Sequence, residues 1–135
     1  MSSVRAIRGA IQVARDDPAL IDAGTRLLIG EVIRRNALAE DDIISVLFTM
    51  TPDLVSRFPA TAARDLGLTD VPLLCGVEIA VPNAMRRVIR LLAHVHTDRS
   101  PSDVEHVYLR GATRLRPDLQ RRPGVAPPVA GGPPA

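Results

Sequence analysis

The chain has 135 residues and a formal net charge of +2, and 46% of its residues are hydrophobic, which is enough for one globular domain with its own core. All 17 basic residues are arginines spread along the chain, and there are only one tyrosine and two phenylalanines, so the composition argues against a clustered basic patch and leaves few aromatic side chains for stacking on nucleic-acid bases. Apolar runs are too short to span a membrane, no signal-peptide pattern opens the chain, and the lone Cys75 cannot form an internal disulfide, so we expect a soluble cytoplasmic protein.

The first predicted elements are a strand and a long helix. Residues 4–14 contain β-branched residues around Gly9, which predicts a strand that bends or lets another group approach its backbone. Asp17 and Pro18 supply an N-cap and a proline at the first helical position, so a helix should run from there to about Asn36. Its apolar side is expected to hold Leu20, Ile21, Leu27, Leu28 and Val32, with Asp22, Arg26 and Ile33 opposite.

The middle of the chain predicts shorter elements. Residues 42–50 form a continuous apolar run, which is typical of a strand covered on both faces, and Pro52 ends it. Further elements are predicted as a helix over residues 60–66, strands over residues 71–79, 89–97 and 106–109, and a short helix from an Asn83 cap to Arg87. The fold class is therefore α+β, close to α/β, with a mixed sheet that buries one face under the long helix and offers the other to partner subunits.

The end of the chain differs in composition from the rest. Residues 120–135 are rich in proline and glycine and contain few large apolar groups, so their burial could not offset the entropy lost on ordering them. We therefore expect one domain over residues 1–119 and a disordered tail over residues 120–135.

Charged residues inside apolar strands are the main candidates for chemistry. The sequence has no glycine-rich phosphate loop, paired-cysteine metal site or nucleophile elbow, and although His94 and His96 share a strand face, two ligands do not make a metal site. Arg8, Glu78 and Arg90 each interrupt an apolar strand. Since a buried charge needs a partner or water, each is an outward-facing charge, part of an internal ion pair such as Glu78 with Arg90, or a functional group.

Several short motifs occur in order along the predicted domain. They are Arg5-Ala6-Ile7-Arg8-Gly9-Ala10, Thr51-Pro52-Asp53-Leu54, Phe58-Pro59-Ala60 with Arg64, Val71-Pro72 with Cys75 and Glu78, Arg90, His106-Val107-Tyr108-Leu109 and Leu115-Arg116-Pro117-Asp118-Leu119. The ordered set resembles the monofunctional chorismate mutases of the AroH class. The resemblance implies a homotrimer whose sheets form a pseudo-α/β barrel, with active sites between subunits. It also implies the rearrangement of chorismate to prephenate, in phenylalanine and tyrosine biosynthesis, without a metal or another cofactor.

The resemblance also implies a role for individual residues. Arg90 would be the main catalytic group, beside the breaking ether oxygen of the substrate. Arg8 and Tyr108 would hold the side-chain carboxylate. Glu78 would accept a hydrogen bond from the ring hydroxyl, with Cys75 as a weaker polar contact. The remaining implied substrate contacts are Phe58, Ala60 and Arg64 from the adjacent subunit, the apolar walls Leu73, Leu74 and Leu115, and Arg116 at the mouth of the site.

Two positions depart from the family pattern, and two other functions fit parts of the sequence. Thr61 stands where the family often has a lysine and Leu74 where it often has a threonine, so two polar contacts are missing and affinity for the substrate should suffer more than turnover. A non-catalytic trimeric binding protein for small anionic metabolites could use the same cleft, but it would not need Glu78 opposite the ring hydroxyl. A basic nucleic-acid-binding module would instead show affinity that falls steeply with salt.

Deleting the residues after Leu119 is expected to leave the fold intact, because the proline-rich tail should bury little surface. Thermal unfolding of the full and the shortened chain measures this effect. A large fall in the melting temperature of the shortened chain would show that the tail is part of the folded domain.

Overall fold

The computed structural model describes residues 2–120, in which five strands form one mixed sheet with helices on one face. The strands are β1 (Ser3–Gln12), β2 (Ile43–Met50), β3 (Leu73–Val77), β4 (Val88–Thr97) and β5 (Val107–Leu109), and the helices are α1 (Pro18–Arg35) and α2 (Pro59–Asp65). Short 3-10 helices cover Glu40–Asp42, Arg110–Leu115 and Pro117–Gln120. Apart from Gln120, the expected tail lies outside the described residues.

The strand order is β3-β2-β4-β1-β5, so the sheet is mixed, as the sequence predicts. The central strand β4 runs antiparallel to both β1 and β2, whereas β5 joins β1 and β3 joins β2 in parallel. The β1–β4 ladder is continuous from the Ser3–Thr97 pair to the Gln12–Val88 pair. This long antiparallel ladder fixes which side chains of β1 and β4 share a face of the sheet.

The long helix α1 begins and ends close to where the sequence predicts. The Asp17 carboxylate accepts the backbone N–H groups of Ala19 and Leu20 at 2.8 and 3.3 Å, which caps the helix start. Leu27, expected on the buried side, is instead 43% exposed. Each residue advances about 100° around a helix, so Leu27 points about 100° away from the buried Leu28. Within residues 2–120, no helix has the length and apolarity needed to cross a bilayer.

The core lies between α1 and the sheet, and Gly9 is a point of close approach between them. A β-carbon at Gly9 would lie 3.0 Å from Leu28 Cδ1 of α1 and 3.3 Å from the Val107 carbonyl oxygen. The predicted close approach to the β1 backbone is thereby confirmed. Ile33, expected on the outer side of α1, also packs against this core. Along β4 the buried residues Ile89, Leu91, Ala93 and Val95 alternate with partly exposed ones, as expected for a sheet with one covered face.

We call the other face of the sheet, which carries Arg8, Thr49, Arg90 and Tyr108, the open face. Within the chain, β2 is covered on one side only, since Phe48 is fully buried in the core whereas Leu47 is 38% exposed on the open face. The prediction that β2 is covered on both faces is therefore wrong for the single chain. Neither α1 nor α2 lies above the open face, and the 3-10 helix Arg110–Leu115 packs only against its Ala10, Val88 and Tyr108 end.

The segment between β3 and β4 differs from its prediction. Instead of a helix from Asn83 to Arg87, it forms turns and bends, with positive φ angles of 67° at Asn83 and 58° at Arg87. The Arg87 backbone N–H donates to the Asp53 carboxylate at 2.9 Å, and its Nε donates to the Val13 carbonyl at 3.1 Å. These tertiary bonds hold a left-handed backbone that an α-helix excludes. The strand β3 accordingly ends at Val77 rather than at residue 79.

Asn36 is expected to be the most sensitive polar position in the fold. Its side chain is 2% exposed, donates to the carbonyls of Val32 and Glu105 at 2.9 Å each, and accepts the Glu105 N–H at 2.7 Å. The substitution Asn36→Ala should lower the free energy of unfolding by about 2 kcal/mol, because it leaves buried backbone groups without partners. Urea unfolding measures this, with Arg34→Ala as a control that removes an exposed ion pair and should change little. Equal effects of both substitutions would contradict the prediction.

Candidate active site

A pocket of about 220 Å³ lies on the open face, where β1, β2, β4 and β5 lie side by side. Its lining residues are Arg8, Gly9, Leu47, Thr49, Arg90, Leu91, Leu92 and Tyr108. The register explains the grouping, because paired residues on neighbouring strands project to the same side and Thr49 is paired with Arg90. The structure thus brings together Arg8, Arg90 and Tyr108, three of the residues that the sequence singles out.

Glu78 joins this group from the end of β3. Its carboxylate oxygens accept hydrogen bonds from Arg90 Nε at 3.1 and 3.2 Å, and its Oε2 also accepts from the Thr49 hydroxyl at 2.8 Å. The Glu78 side chain is 17% exposed and that of Arg90 is 40% exposed. The internal ion pair left open by the sequence is therefore present. Within residues 2–120 the hydrogen bonds of the Arg90 side chain use only Nε, which leaves both terminal nitrogens for a ligand.

Tyr108 forms one wall of the pocket and belongs to a small apolar cluster. The residue is 5% exposed and packs in a cluster with Ala10, Val88 and Ala112, against which Leu115 also packs. This packing holds the aromatic ring in place, and the pairing of Tyr108 with Ala10 places it on the open face beside Arg8. Leu115, implied as an apolar wall, therefore supports Tyr108.

His106 lies next to Arg8, although the sequence analysis gives it no role. Its ring nitrogen Nδ1 accepts the backbone N–H of Arg8 at 2.9 Å. Burial, and then the positive charges of Arg8 and Arg116, lower the pKa of His106 from its ordinary value. The imidazole is thus held in its neutral form, in which one ring nitrogen can accept a hydrogen bond.

Arg116 lies at the rim of this group. It donates two hydrogen bonds to the Asp118 carboxylate, from Nε at 3.1 Å and from Nη2 at 2.9 Å. Those bonds raise the pKa of the Arg116 guanidinium, with a smaller contribution from Tyr108. Arg116 thus lies near Tyr108 and His106.

A second and larger pocket, of about 580 Å³, lies near the ends of β2 and β3 on the helix-covered side. Its lining residues are Met50, Leu54, Val55, Ser56, Arg57, Phe58, Thr61, Cys75, Gly76 and Val77. Phe58 is 69% exposed, Ala60 is buried just inside α2, and Arg64 is exposed on α2. The two pockets share no lining residue. Within one chain, the structure therefore does not bring Phe58, Ala60 and Arg64 together with Arg90.

The three candidate residues on β3 divide between the two faces. Leu73 is paired with Val46 and Cys75 with Phe48, and both side chains pack against the core. Leu74 is 67% exposed and pairs with Leu47 on the open face. The Cys75 thiol and the Glu78 carboxylate thus lie on opposite sides of the sheet. A contact of Cys75 with the substrate hydroxyl stays a prediction.

Two residues of the site, Thr49 and His106, escape sequence reasoning. Thr49 is a polar residue within the apolar run of β2, and His106 opens the motif before Tyr108, but both signals are weak without the register. The two histidines considered as metal ligands lie elsewhere on β4: His94 Nδ1 is 3.5 Å from the Ser45 hydroxyl, and His96 is exposed. Across the described residues, no group of three or more His, Cys, Asp or Glu side chains could hold a metal ion.

Comparisons of this chain with known proteins all point to one family. Residues 4–119 match the family model for chorismate mutase type I. The chain is 48% identical over 118 residues to chorismate mutase AroH of Thermus thermophilus, covering 87% of this chain and 97% of that protein. It is 38% identical over 117 residues to chorismate mutase AroH of Bacillus subtilis, covering 86% and 92%. A solved chorismate mutase from Clostridium thermocellum superposes with a TM-score of 0.80 at 47% identity, covering 81% of this chain and 97% of that one. The chain therefore belongs to the type I chorismate mutase family.

Proposed function

We propose that the chain is an isomerase that rearranges chorismate to prephenate in aromatic amino-acid biosynthesis, with its active site built on the open-face pocket. The observation that carries the proposal is the convergence of Arg8, Glu78, Arg90 and Tyr108 around that pocket. Membership of the chorismate mutase family supports it independently. The cytoplasmic location and the absence of nucleic-acid or membrane partners stay predictions.

The proposed reaction asks little of the protein beyond charge and shape. Chorismate carries two carboxylates, and its rearrangement breaks an ether bond and forms a carbon–carbon bond in one step, so no nucleophile or transferred proton is required. The enzyme must hold the compact, chair-like conformer and stabilise the negative charge that gathers on the ether oxygen. A guanidinium suits this task because it stays charged in a water-poor site and binds carboxylate at two points.

Glu78 has two roles in this proposal. It holds the Arg90 guanidinium by Nε, which leaves the terminal nitrogens of Arg90 for a ligand in the pocket that Arg90 lines. Its own position is fixed by the Thr49 hydroxyl and by the bond from its backbone N–H to the Met50 carbonyl at 2.9 Å. A carboxylate has about four lone-pair sites, so Glu78 retains capacity to accept the ring hydroxyl of the substrate.

We also propose that three chains assemble with their sheets in a pseudo-α/β barrel, so that the open-face pocket of one meets Phe58, Ala60 and Arg64 of the next. The separation of the two pockets in the single chain supports this arrangement. So do exposed apolar side chains on β2, on β3 and in the segment after β3: Leu47, Leu74, Val77, Ile79 and Val81. Exposed apolar surface of this kind is typical of an interface between subunits.

Arg90→Ala is expected to lower kcat by at least about 10³-fold, because the lost interaction is made chiefly in the transition state. Loss of chorismate absorbance, with identification of the product, measures this. Arg26→Ala, which removes an exposed arginine on α1, is the matched control and should keep full turnover. Wild-type turnover by Arg90→Ala would refute the mechanism. If the unmodified chain binds chorismate without converting it, the protein is a binding protein rather than an enzyme.

Thr49→Val is expected to lower kcat/KM by about 10-fold, since a hydrogen bond to a charged group is removed while the volume of the side chain is kept. Thr49→Ser retains the hydroxyl and should stay close to wild type. Steady-state kinetics of the two variants make the comparison. If both variants lose activity equally, then packing rather than the hydroxyl matters at this position.

A further inference from the structure

The parallel ladder between β1 and β5 stops just before Arg8. β5 pairs with β1 only at Gly9, Ala10 and Ile11. At the next position along β1, the Arg8 backbone N–H donates to a side chain, His106 Nδ1, at 2.9 Å. His106 immediately precedes β5, so its imidazole takes the place that a backbone carbonyl would have in a longer strand.

The bond requires one protonation state of His106. Nδ1 can accept the Arg8 N–H only when it carries no proton, so the proton of the neutral ring lies on Nε2. The charged groups that face the ring are Arg8 on β1 and Arg116 after β5, and Arg116 is itself bonded to Asp118. The neighbouring Glu105 instead acts on Arg34 at the end of α1. The positive charges of these two guanidinium groups disfavour a third positive charge on the ring.

We propose that neutral His106 is a positioning residue for Arg8, which fixes the β1 backbone from which Arg8 reaches a substrate carboxylate. The inference rests on the proposed function. On its other side, β1 is held by β4 through the pairing of Arg8 with Leu92, so His106 supplies the second anchor of this backbone segment. A displaced backbone would move the Arg8 guanidinium away from that carboxylate and so weaken the binding of the substrate.

The effect should appear in KM rather than in kcat. A carboxylate that does not react is bound equally in the ground state and in the transition state, and loss of such uniform binding raises KM alone. Arg90, which acts on the ether oxygen in the proposed mechanism, is anchored separately by Glu78.

The proposal also predicts a direction for the pH dependence. The pKa of His106 is lowered from 6.5, so the hydrogen bond is present at neutral pH and is lost as the pH falls through the lowered value. Protonation places an N–H of the ring against the Arg8 N–H. KM for chorismate should therefore rise on acidification below pH 6.5.

The test compares His106→Leu, which removes the acceptor, with His106→Asn, whose side-chain oxygen can replace Nδ1 but does not titrate. Steady-state kinetics with chorismate between about pH 5 and pH 8 give KM and kcat separately. At neutral pH, His106→Leu should raise KM about 10-fold with kcat within about 2-fold, whereas His106→Asn should keep the wild-type KM. His106→Asn should also lack the acidic rise in KM. The control His96→Asn, at an exposed histidine of β4, should keep the wild-type pH profile.

The outcomes separate this inference from the proposed function. No conversion of chorismate by the unmodified chain would remove the proposed function itself. If that chain is active, three results would each overturn the role of His106. The first is an unchanged KM in His106→Leu, and the second is an acidic rise in KM that persists in His106→Asn. The third is a wild-type KM that falls on acidification. If His106→Leu fails to fold by circular dichroism, the pH profile of His106→Asn still decides.

Discussion

The ion pair between Arg90 and Glu78 is the interaction on which the rest of the site depends. Arg90 lies on β4 and Glu78 directly follows β3, which is not a neighbour of β4, and Thr49 on the intervening β2 donates to the same carboxylate. A half-buried pair of this kind contributes little net stability, because the desolvation of both charges offsets their attraction. Its value is geometric, since bonding through Nε holds the guanidinium while its terminal nitrogens remain available.

That geometric requirement shapes the sheet. The part of the face that presents charged groups to a ligand must stay uncovered within the chain, and α1 and α2 accordingly lie on the other side of the sheet. The open face must still keep bulk water away from its charges if they are to act strongly. In the proposed assembly, neighbouring subunits supply this cover, which also accounts for the apolar side chains exposed around β3.

The sequence predicts elements with strong local signals and misses what depends on the register. The Asp17-Pro18 cap and the apolar run before Pro52 locate α1 and β2 within one or two residues, because capping and proline act on their own neighbours. The predicted helix after Asn83 is wrong because distant partners hold Arg87 in a left-handed conformation. The bonds from Thr49 to Glu78 and from Arg8 to His106 span 29 and 98 residues of sequence, so no local pattern could reveal them.

The charges around the pocket explain why the proposed site needs a second chain. Arg8, Arg90 and Arg116 supply three positive charges, whereas Glu78 and Asp118 supply two negative ones, so one chain offers a dianionic substrate a single net positive charge. The partner that the proposal assigns to this site brings Arg64. Arg57, in the same region, is bonded to Asp22 at 3.0 Å, and Thr61 stands where the resemblance implies a lysine. In the proposed assembly, charge balance for the second carboxylate therefore depends on Arg64, and on this proposal a separated chain would hold chorismate weakly even with Arg90 correctly placed.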